Sequence, residues 1–408
     1  MTASDIFVLD PNATDPDAEH EQLRAIGPAV KADMLGVTVW SVNHPQLLKE
    51  LLASPDVSRD ARLHWSEYER ALKFWPLILW VAVENMFTTY GDTRARLRRL
   101  VAPAFTPRRI QALKPTVDRF AADLIAKLAT HPPGEVVDVR PELAHPLPVA
   151  VISHLMGVPP DQGSAFGQAI YRAFGSTDTL EQVMADGASL IAMLEDLIAL
   201  KRITPGDDLT SQLIAARDTE GDGGQLTETE LRDTLMLVIA AGTETTVNLI
   251  ERTIALCLTH PDQLAHLRSG RATITDLVEE ALRYEPAFRH MPLRYAVRDL
   301  PLPDGQTIQR GEAILASYAA ANRHPDWHDN PDTFDITRPF KEHVAFGYGV
   351  HFCLGAALGR LQTACTLAQF FDAFPHARLA APVEELPLLP SLIFNGHQTL
   401  PLILRPAQ

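Results

Sequence analysis

The chain has 408 residues, of which 46% are hydrophobic and 21% charged, and its formal net charge is -15. That composition supports a core large enough to bury a cofactor and excludes wholesale disorder, while the acidic balance excludes a general nucleic-acid binder. The three cysteines, Cys257, Cys353 and Cys365, make no CxxC pair, so they do not read as a disulfide framework and they fit a reducing, cytoplasmic setting.

The N-terminal stretch MTASDIFVLDPNATDPDAEHEQLRA carries neither a basic region nor a long apolar run. It reads as neither a signal peptide nor a membrane anchor. The short apolar run VTVW precedes a helical segment, HPQLLKELLAS. The run PLILWVAV at 76–83 is too short to span a bilayer. Residues 93–104 predict a basic helix ending near Pro103. Ile110, Leu113, Val117, Phe120, Ala121 and Leu124 have the spacing of one amphipathic helix over 110–130. Helical patterns continue to about residue 286, broken by the loop DTEGDGGQLTETE at 218–230, where Thr227 and Glu230 can form a capping box. The apolar stretch 234–258 is interrupted by Glu244, Glu251 and Arg252 and reads as a buried helix, not a membrane span. After Pro286, LRYAVRDLPLPDGQTIQRGEAI predicts short strands around a Pro-Asp-Gly turn. An irregular run, a Gly-rich loop and a long helix at about 355–374 follow, and the end reads as strands and turns. The fold class is mainly α with a small β region.

The strongest chemical signal is FGYGVHFCLG at 346–355. A metal-binding cysteine needs its thiolate favoured, and a helix starting just after it supplies N–H donors and the positive end of a dipole. Gly347, Gly349 and Gly355 let the backbone approach a flat ligand, and Phe346 shields the sulfur. A buried inert thiol accounts for Cys257 and Cys365, but it does not explain three glycines, Phe and His at fixed offsets around Cys353. A zinc site at His351 and Cys353 lacks a second Cys/His pair at ligand spacing.

The segment resembles the haem-binding signature of the cytochrome P450 family, FGxGxHxCxG, with every fixed position filled. The resemblance implies a triangular, mainly α prism fold, a single catalytic domain over 1–408 and a haem b cofactor (iron protoporphyrin IX). It makes Cys353 the axial iron ligand, with Gly355 beside it, and gives His351 a haem propionate. A thiolate ligand favours O–O cleavage. Relatives often continue the helix as LARxE, where this chain has Leu358-Gly359-Arg360-Leu361-Gln362; Gly359 costs that helix roughly 1 kcal/mol relative to Ala.

The insert AAGTETT at 240–246 places a Gly, a Glu and three Thr inside a core helix. By itself it reads as a kinked helix with satisfied polar groups, or as one opened to admit small ligands. It resembles the family's oxygen-activation motif [AG]Gx[DE]T over Ala241–Thr245. That makes Glu244 and Thr245 the catalytic proton relay to dioxygen and gives Gly242 the task of leaving room.

Glu280 and Arg283 read alone as a helix-surface ion pair. The family's ExxR pair, with Arg338 in FDITR as its partner, makes the three a structural triad. By the same resemblance Arg94, Arg98 and Arg294 hold the haem propionates, although many relatives have His where Arg94 stands. Arg96, Arg99, Arg108, Arg109 and Arg360 are expected to form a basic patch for an acidic ferredoxin or flavodoxin, served by an NAD(P)H-dependent reductase. Family analogy puts Val83, Met86, Phe87, Leu237, Val238, Ala241, Met291, Leu293, Ile393 and Phe394 against substrate, all apolar and suited to a hydrophobic molecule. The implied reaction inserts one oxygen atom into a C–H bond of a steroid, macrolide or other polyketide-like molecule, in a monomer. The rival expectations are a peroxygenase driven by hydrogen peroxide and a haem-binding protein without turnover.

Overall fold

The computed structural model of the chain describes residues 6–173, 179–218, 221 and 223–407. Residues 219, 220 and 222 of the expected loop at 218–230 lie outside them.

The N-terminal part alternates strand and helix: β1 (Phe7–Val8), α1 (Pro16–Ile26), β2 (Ala29–Met34), β3 (Val37–Val42), α2 (Pro45–Ala53) and β4 (Val57–Ser58). The middle is helical. It includes α3 (Gly91–Val101), α4 (Lys114–Leu128), α5 (Pro146–Met156), α6 (Leu180–Ile203), α7 (Glu228–Thr259) and α8 (Ile274–Tyr284), with β5 (Val136–Asp138) among them. Then come β6 (His290–Ala296), β7 (Leu300–Pro301), β8 (Thr307–Ile308), β9 (Ala313–Ser317), α9 (Ala356–Ala373), β10 (Arg378–Leu379) and β11 (Pro401–Ile403). The main sheet has the order β1-β2-β3-β9-β6-β4. Its centre is the parallel pair β3 and β9, which joins Val39 to Ala313 and Val42 to Ala316 across the chain. β6 is buried at every position, as expected of a strand covered on both faces.

α7 is the axis of the helical part. The Thr227–Glu230 capping box opens it, satisfying two of the donors that a helix start leaves free. Leu235, Ile239, Val247 and Ile254 along it enter the main apolar cluster, together with Leu147 and Ile152 of α5, Leu190 and Leu197 of α6, and Leu358 and Phe370 of α9. The helix is continuous from Glu228 to Thr259. Thr243 and Thr245 hydroxyls donate to the carbonyls of Ile239 and Ala241 at 2.8 and 2.6 Å, so the polar insert is accommodated by hydroxyl back-bonding with no break.

One element differs from its sequence pattern. The amphipathic stretch 110–130 is two helices, Pro107–Ala112 and Lys114–Leu128. Pro115 has no N–H to continue the first helix and sits in the first turn of the second, where proline is tolerated. Among the described residues no helix is long and apolar enough to cross a membrane.

Candidate active site

The cysteine loop runs from Phe346 into α9, whose N-cap is Gly355. The Cys353 N–H donates to the Phe346 carbonyl at 2.9 Å and closes the loop. Arg98 of α3 reaches across to donate to the Phe352 carbonyl at 3.1 Å. Gly349 has φ +68, and a Cβ there would lie 2.8 Å from the Leu52 carbonyl oxygen and 2.9 Å from the Ala53 Cα. Those are backbone atoms of α2 that cannot swing aside, so only glycine fits.

Burial pushes the Cys353 thiol up, against the Gly355 and Ala356 N–H groups and the charges of Arg98 and Arg360, which pull it down. The net direction is upward. The helix start and the two arginines pull in the direction expected of them and offset the cost of burial in part. A metal cation on the sulfur deprotonates it outright, which is the chemistry of a metal-binding cysteine and not of a free nucleophile.

Cys353 lies on the wall of a cavity of about 230 Å³. α7 also lines it, with Leu237, Val238, Ala241, Gly242 and Thr245. At Gly242 the helix comes so close to α5 that a Cβ would collide with the Ile152 side chain; the glycine is thus needed for packing as well as for space. Of the apolar residues expected against substrate, Val83, Met86, Phe87, Leu237, Val238, Ala241, Met291 and Phe394 line the cavity. Leu293 and Ile393 do not. Both are packed into the core between the main sheet and the C-terminal segment. Alternation alone would put Leu293 on the same face as Met291, two residues earlier; the irregularity in the β6–β9 pairing between Met291 and Arg294 breaks that alternation.

The cations near the cavity have few acidic partners. Arg94, Arg98, Arg294 and a further arginine, Arg59, all act on His351, whose pKa lies well below the ordinary value through burial first and then through these charges. Arg59 and Arg98 are on the wall, and among the described residues no carboxylate is. Arg59 donates to the Pro292 carbonyl at 2.6 Å and lies 3.4 Å over the Phe87 ring. Arg294 is 2% exposed with Nη1 unpartnered, and Arg94 Nε is likewise buried and unpartnered. Burial and the neighbouring Arg98 bring Arg94 down to about 10. Buried cations without counter-charges are costly, and two carboxylates beside them would relieve that cost. This arrangement fits the propionates of a haem over Cys353. The sequence pattern missed Arg59, because nothing in VSRDAR sets it apart from Arg62 three residues on. Gln362 was also missed as a wall residue; both its amide atoms are buried without a partner.

Glu244 does not line the cavity. It accepts from Arg140 Nη2 at 2.6 Å, and Arg140 Nη1 donates to Asn248 at 2.9 Å. Burial raises the Glu244 pKa against the pull of Arg140 and Asn248. Thr245 is on the wall, one residue along the helix.

Glu280, Arg283 and Arg338 meet as a buried cluster. Arg283 makes a two-pronged bond to Glu280 at 2.7 and 2.8 Å, and both side chains are 0% exposed. Arg338 adds a contact at 3.4 Å and donates to the carbonyls of Asp329, Asn330 and Thr333. The expected basic patch is largely paired within the molecule. Arg96 bonds Glu230, Arg99 bonds Asp218, and Arg360 bonds Glu279, while Arg109 donates to Gln212. Arg108 is exposed.

Residues 195–379 match the family model described as Cytochrome P450. A 2-hydroxy-5-methyl-1-naphthoate 7-hydroxylase of Streptomyces carzinostaticus is 35% identical over 98% of this chain and 97% of its own length. A vitamin D(3) 25-hydroxylase of Pseudonocardia autotrophica is 35% identical, over 96% and 94%. The solved structure of CYP154A1 from Streptomyces coelicolor A3(2) is 56% identical and superposes with a TM-score of 0.93, covering 98% of this chain and all of that one. On these relatives the chain belongs to the cytochrome P450 family, whose members bind haem b, and is a haem-dependent monooxygenase.

Proposed function

We propose that this P450, as one catalytic domain over 1–408, hydroxylates a hydrophobic small molecule of steroid, macrolide or other polyketide-like type. Its electrons come from NAD(P)H by way of a reductase and a ferredoxin or flavodoxin. The observation that carries the reading is the cavity itself. One cavity is lined by Cys353, by Ala241 and Thr245 of α7, and by the apolar side chains of Val83, Met86, Phe87, Leu237, Val238, Met291 and Phe394.

The haem, when bound, supplies the oxygen chemistry, which a thiolate ligand favours. The protein's part is to place and protect. Cys353 holds the iron, steadied by the Gly355 and Ala356 N–H groups. Arg59, Arg94, Arg98, Arg294 and His351 hold the propionates. The Thr245 hydroxyl faces the cavity and is held by the Ala241 carbonyl, within the element that also carries Glu244. Glu244 is the buried proton reserve; Arg140 holds its carboxylate on the far side of the helix, so a proton reaches Thr245 only after that ion pair loosens. The apolar lining excludes water and selects a hydrophobic substrate.

Reduced protein with carbon monoxide should show the red-shifted thiolate Soret band, and Cys353→His should lose it; a band that survives Cys353→Ala would sink the ligand assignment. Binding spectra against steroids, macrolides and fatty acids test the substrate class. A peroxygenase is the rival: turnover with hydrogen peroxide alone, and none with ferredoxin and reductase, would select it.

A further inference from the structure

Outside the haem cavity, Glu19 and His20 of α1 meet His290, the first residue of β6. One ligand atom from each lies within 4.8 Å of the other two. Glu19 Oε1 is 3.4 Å from His290 Nε2. His20 is 4% exposed and His290 1%.

The hydrogen bonds behind His290 make its Nδ1 a donor. The Asn43 amide nitrogen donates to the Ser41 carbonyl at 3.2 Å, which orients the amide, and the Ser41 hydroxyl donates to Asn43 Oδ1 at 3.0 Å. Ser41 Oγ is 2.7 Å from Ser317 Oγ, which is 3.0 Å from His290 Nδ1. The chain ends in an oxygen that can only accept. Ser41 uses its one proton on that oxygen, Ser317 donates to Ser41, and His290 Nδ1 must therefore donate to Ser317. Nε2 then faces the Glu19 carboxylate at 3.4 Å, a contact that is favourable with a cation between the two atoms, a proton or a metal ion.

His20 supplies the second observation. Its Nε2 is buried with no hydrogen-bond partner, a costly state for a polar atom. The Glu19 carboxylate is oriented from behind by the Asp10 N–H at 2.7 Å. A small cavity of about 10 Å³ borders Glu19 and His290, roughly the space of one water. Arg289 also borders it and opposes a cation, but Asp10 and Asp15 border it as well.

We propose that Glu19, His20 and His290 form a zinc site that clips α1 to the edge of the substrate-cavity wall. Two imidazoles and one carboxylate are a borderline-soft donor set suited to zinc. With zinc–ligand bonds of about 2.0–2.1 Å, tetrahedral ligand atoms stand about 3.3 Å apart. The Glu19–His290 separation of 3.4 Å is already close to that value, and the His20 ligand atom lies within 4.8 Å of both. Water in the adjoining cavity completes four-coordination. Ser317 and the Asp10 N–H are the outer partners that such ligands require. Met291, which lines the haem cavity, is the next residue in the chain, so the clip holds that wall.

The test is equilibrium dialysis of the haem-loaded protein, stripped with EDTA, against micromolar zinc chloride, with metal content measured by atomic emission. The expected result is one equivalent retained by the wild type and lost by Glu19→Gln with His20→Gln, at least a 100-fold loss of affinity. The exposed group His44, His324 and Asp326 also has metal-ligand spacing, so His324→Ala is the control and should keep the equivalent. The carbon monoxide spectrum of each variant reports that it is folded. Equal zinc in the wild type and the double variant overturns the proposal. So does a wild type that retains none, since a proton on His290 Nε2 would then be the cation.

Discussion

Two charge clusters lie within the same molecule and differ in one respect. Glu280, Arg283 and Arg338 on and near α8 are saturated: the carboxylate is met by both arginines, and the remaining guanidinium donors find the carbonyls of residues 329–333. Around the cavity, Arg59, Arg94, Arg98 and Arg294 have carbonyl or ring partners or none, and buried nitrogens are left over. A saturated cluster is finished by folding and serves the fold. An unsaturated one keeps its electrostatic cost until a ligand of opposite charge arrives, and so marks where the ligand goes.

The contrast breaks most visibly in the saturated cluster. Arg283→Met removes the two-pronged partner of Glu280 and leaves it only the longer Arg338 contact and the Asp335 N–H in a site with no solvent exposure, and should destabilise the fold by about 3–5 kcal/mol, measured by urea unfolding of the haem-loaded protein. A variant that unfolds at the wild-type urea concentration would show that the cluster does not support the fold. Arg294→Met should do the reverse. The haem-free protein should be as stable as the wild type or more so, because a buried unpaired cation has gone, while haem affinity should fall about 10- to 100-fold, the worth of a charge-assisted hydrogen bond. Haem transfer to apomyoglobin reads the affinity. Arg59→Met should follow Arg294→Met in both directions with a smaller loss of affinity, since Arg59 is already engaged with the Pro292 carbonyl and the Phe87 ring. Loss of stability in the haem-free Arg59 and Arg294 variants would erase the distinction between the clusters.

Much of this was legible in the sequence where function imposes fixed spacing. Residues 346–355 carry their chemistry in consecutive positions, and the 227–259 helix carries its cap and its polar insert in register. What spacing does not encode is which face of an element meets which partner. Leu293 and Ile393 have the right polarity for a cavity wall and are core; for Leu293 the irregular pairing between β6 and β9 breaks the alternation that polarity alone would suggest. Glu244 belongs to the expected motif, yet Arg140, from a segment about a hundred residues earlier, turns its carboxylate away from the cavity. Arg59 is the converse case: no local pattern marks it, and only the return of β6 beside β4 brings it to Arg294. The parallel pairing of β3 with β9 is equally long-range, and nothing in VTVW or EAILAS specifies it.

The smallest effect tests how far saturation itself contributes. Arg360 was expected to face a redox partner and instead bonds Glu279 on α8, with His343 on the same carboxylate. Burial pushes the Glu279 carboxyl up, but hydrogen bonds from Arg360 and His343 outweigh it and hold it at about 2, against an ordinary 4.5. A carboxyl whose folded pKa lies below its unfolded one stabilises the protein above the unfolded value and loses that stabilisation as pH falls through the folded one. Wild type should therefore be more stable than Glu279→Gln at pH 6, by less than about 1 kcal/mol because the pair is partly solvated. The difference should shrink steadily between pH 4.5 and 2, followed by circular dichroism in urea. A difference that holds constant across that range would mean that the Glu279–Arg360 pair contributes packing and no charge. The arginine would then be electrostatically free to serve a docking surface after all.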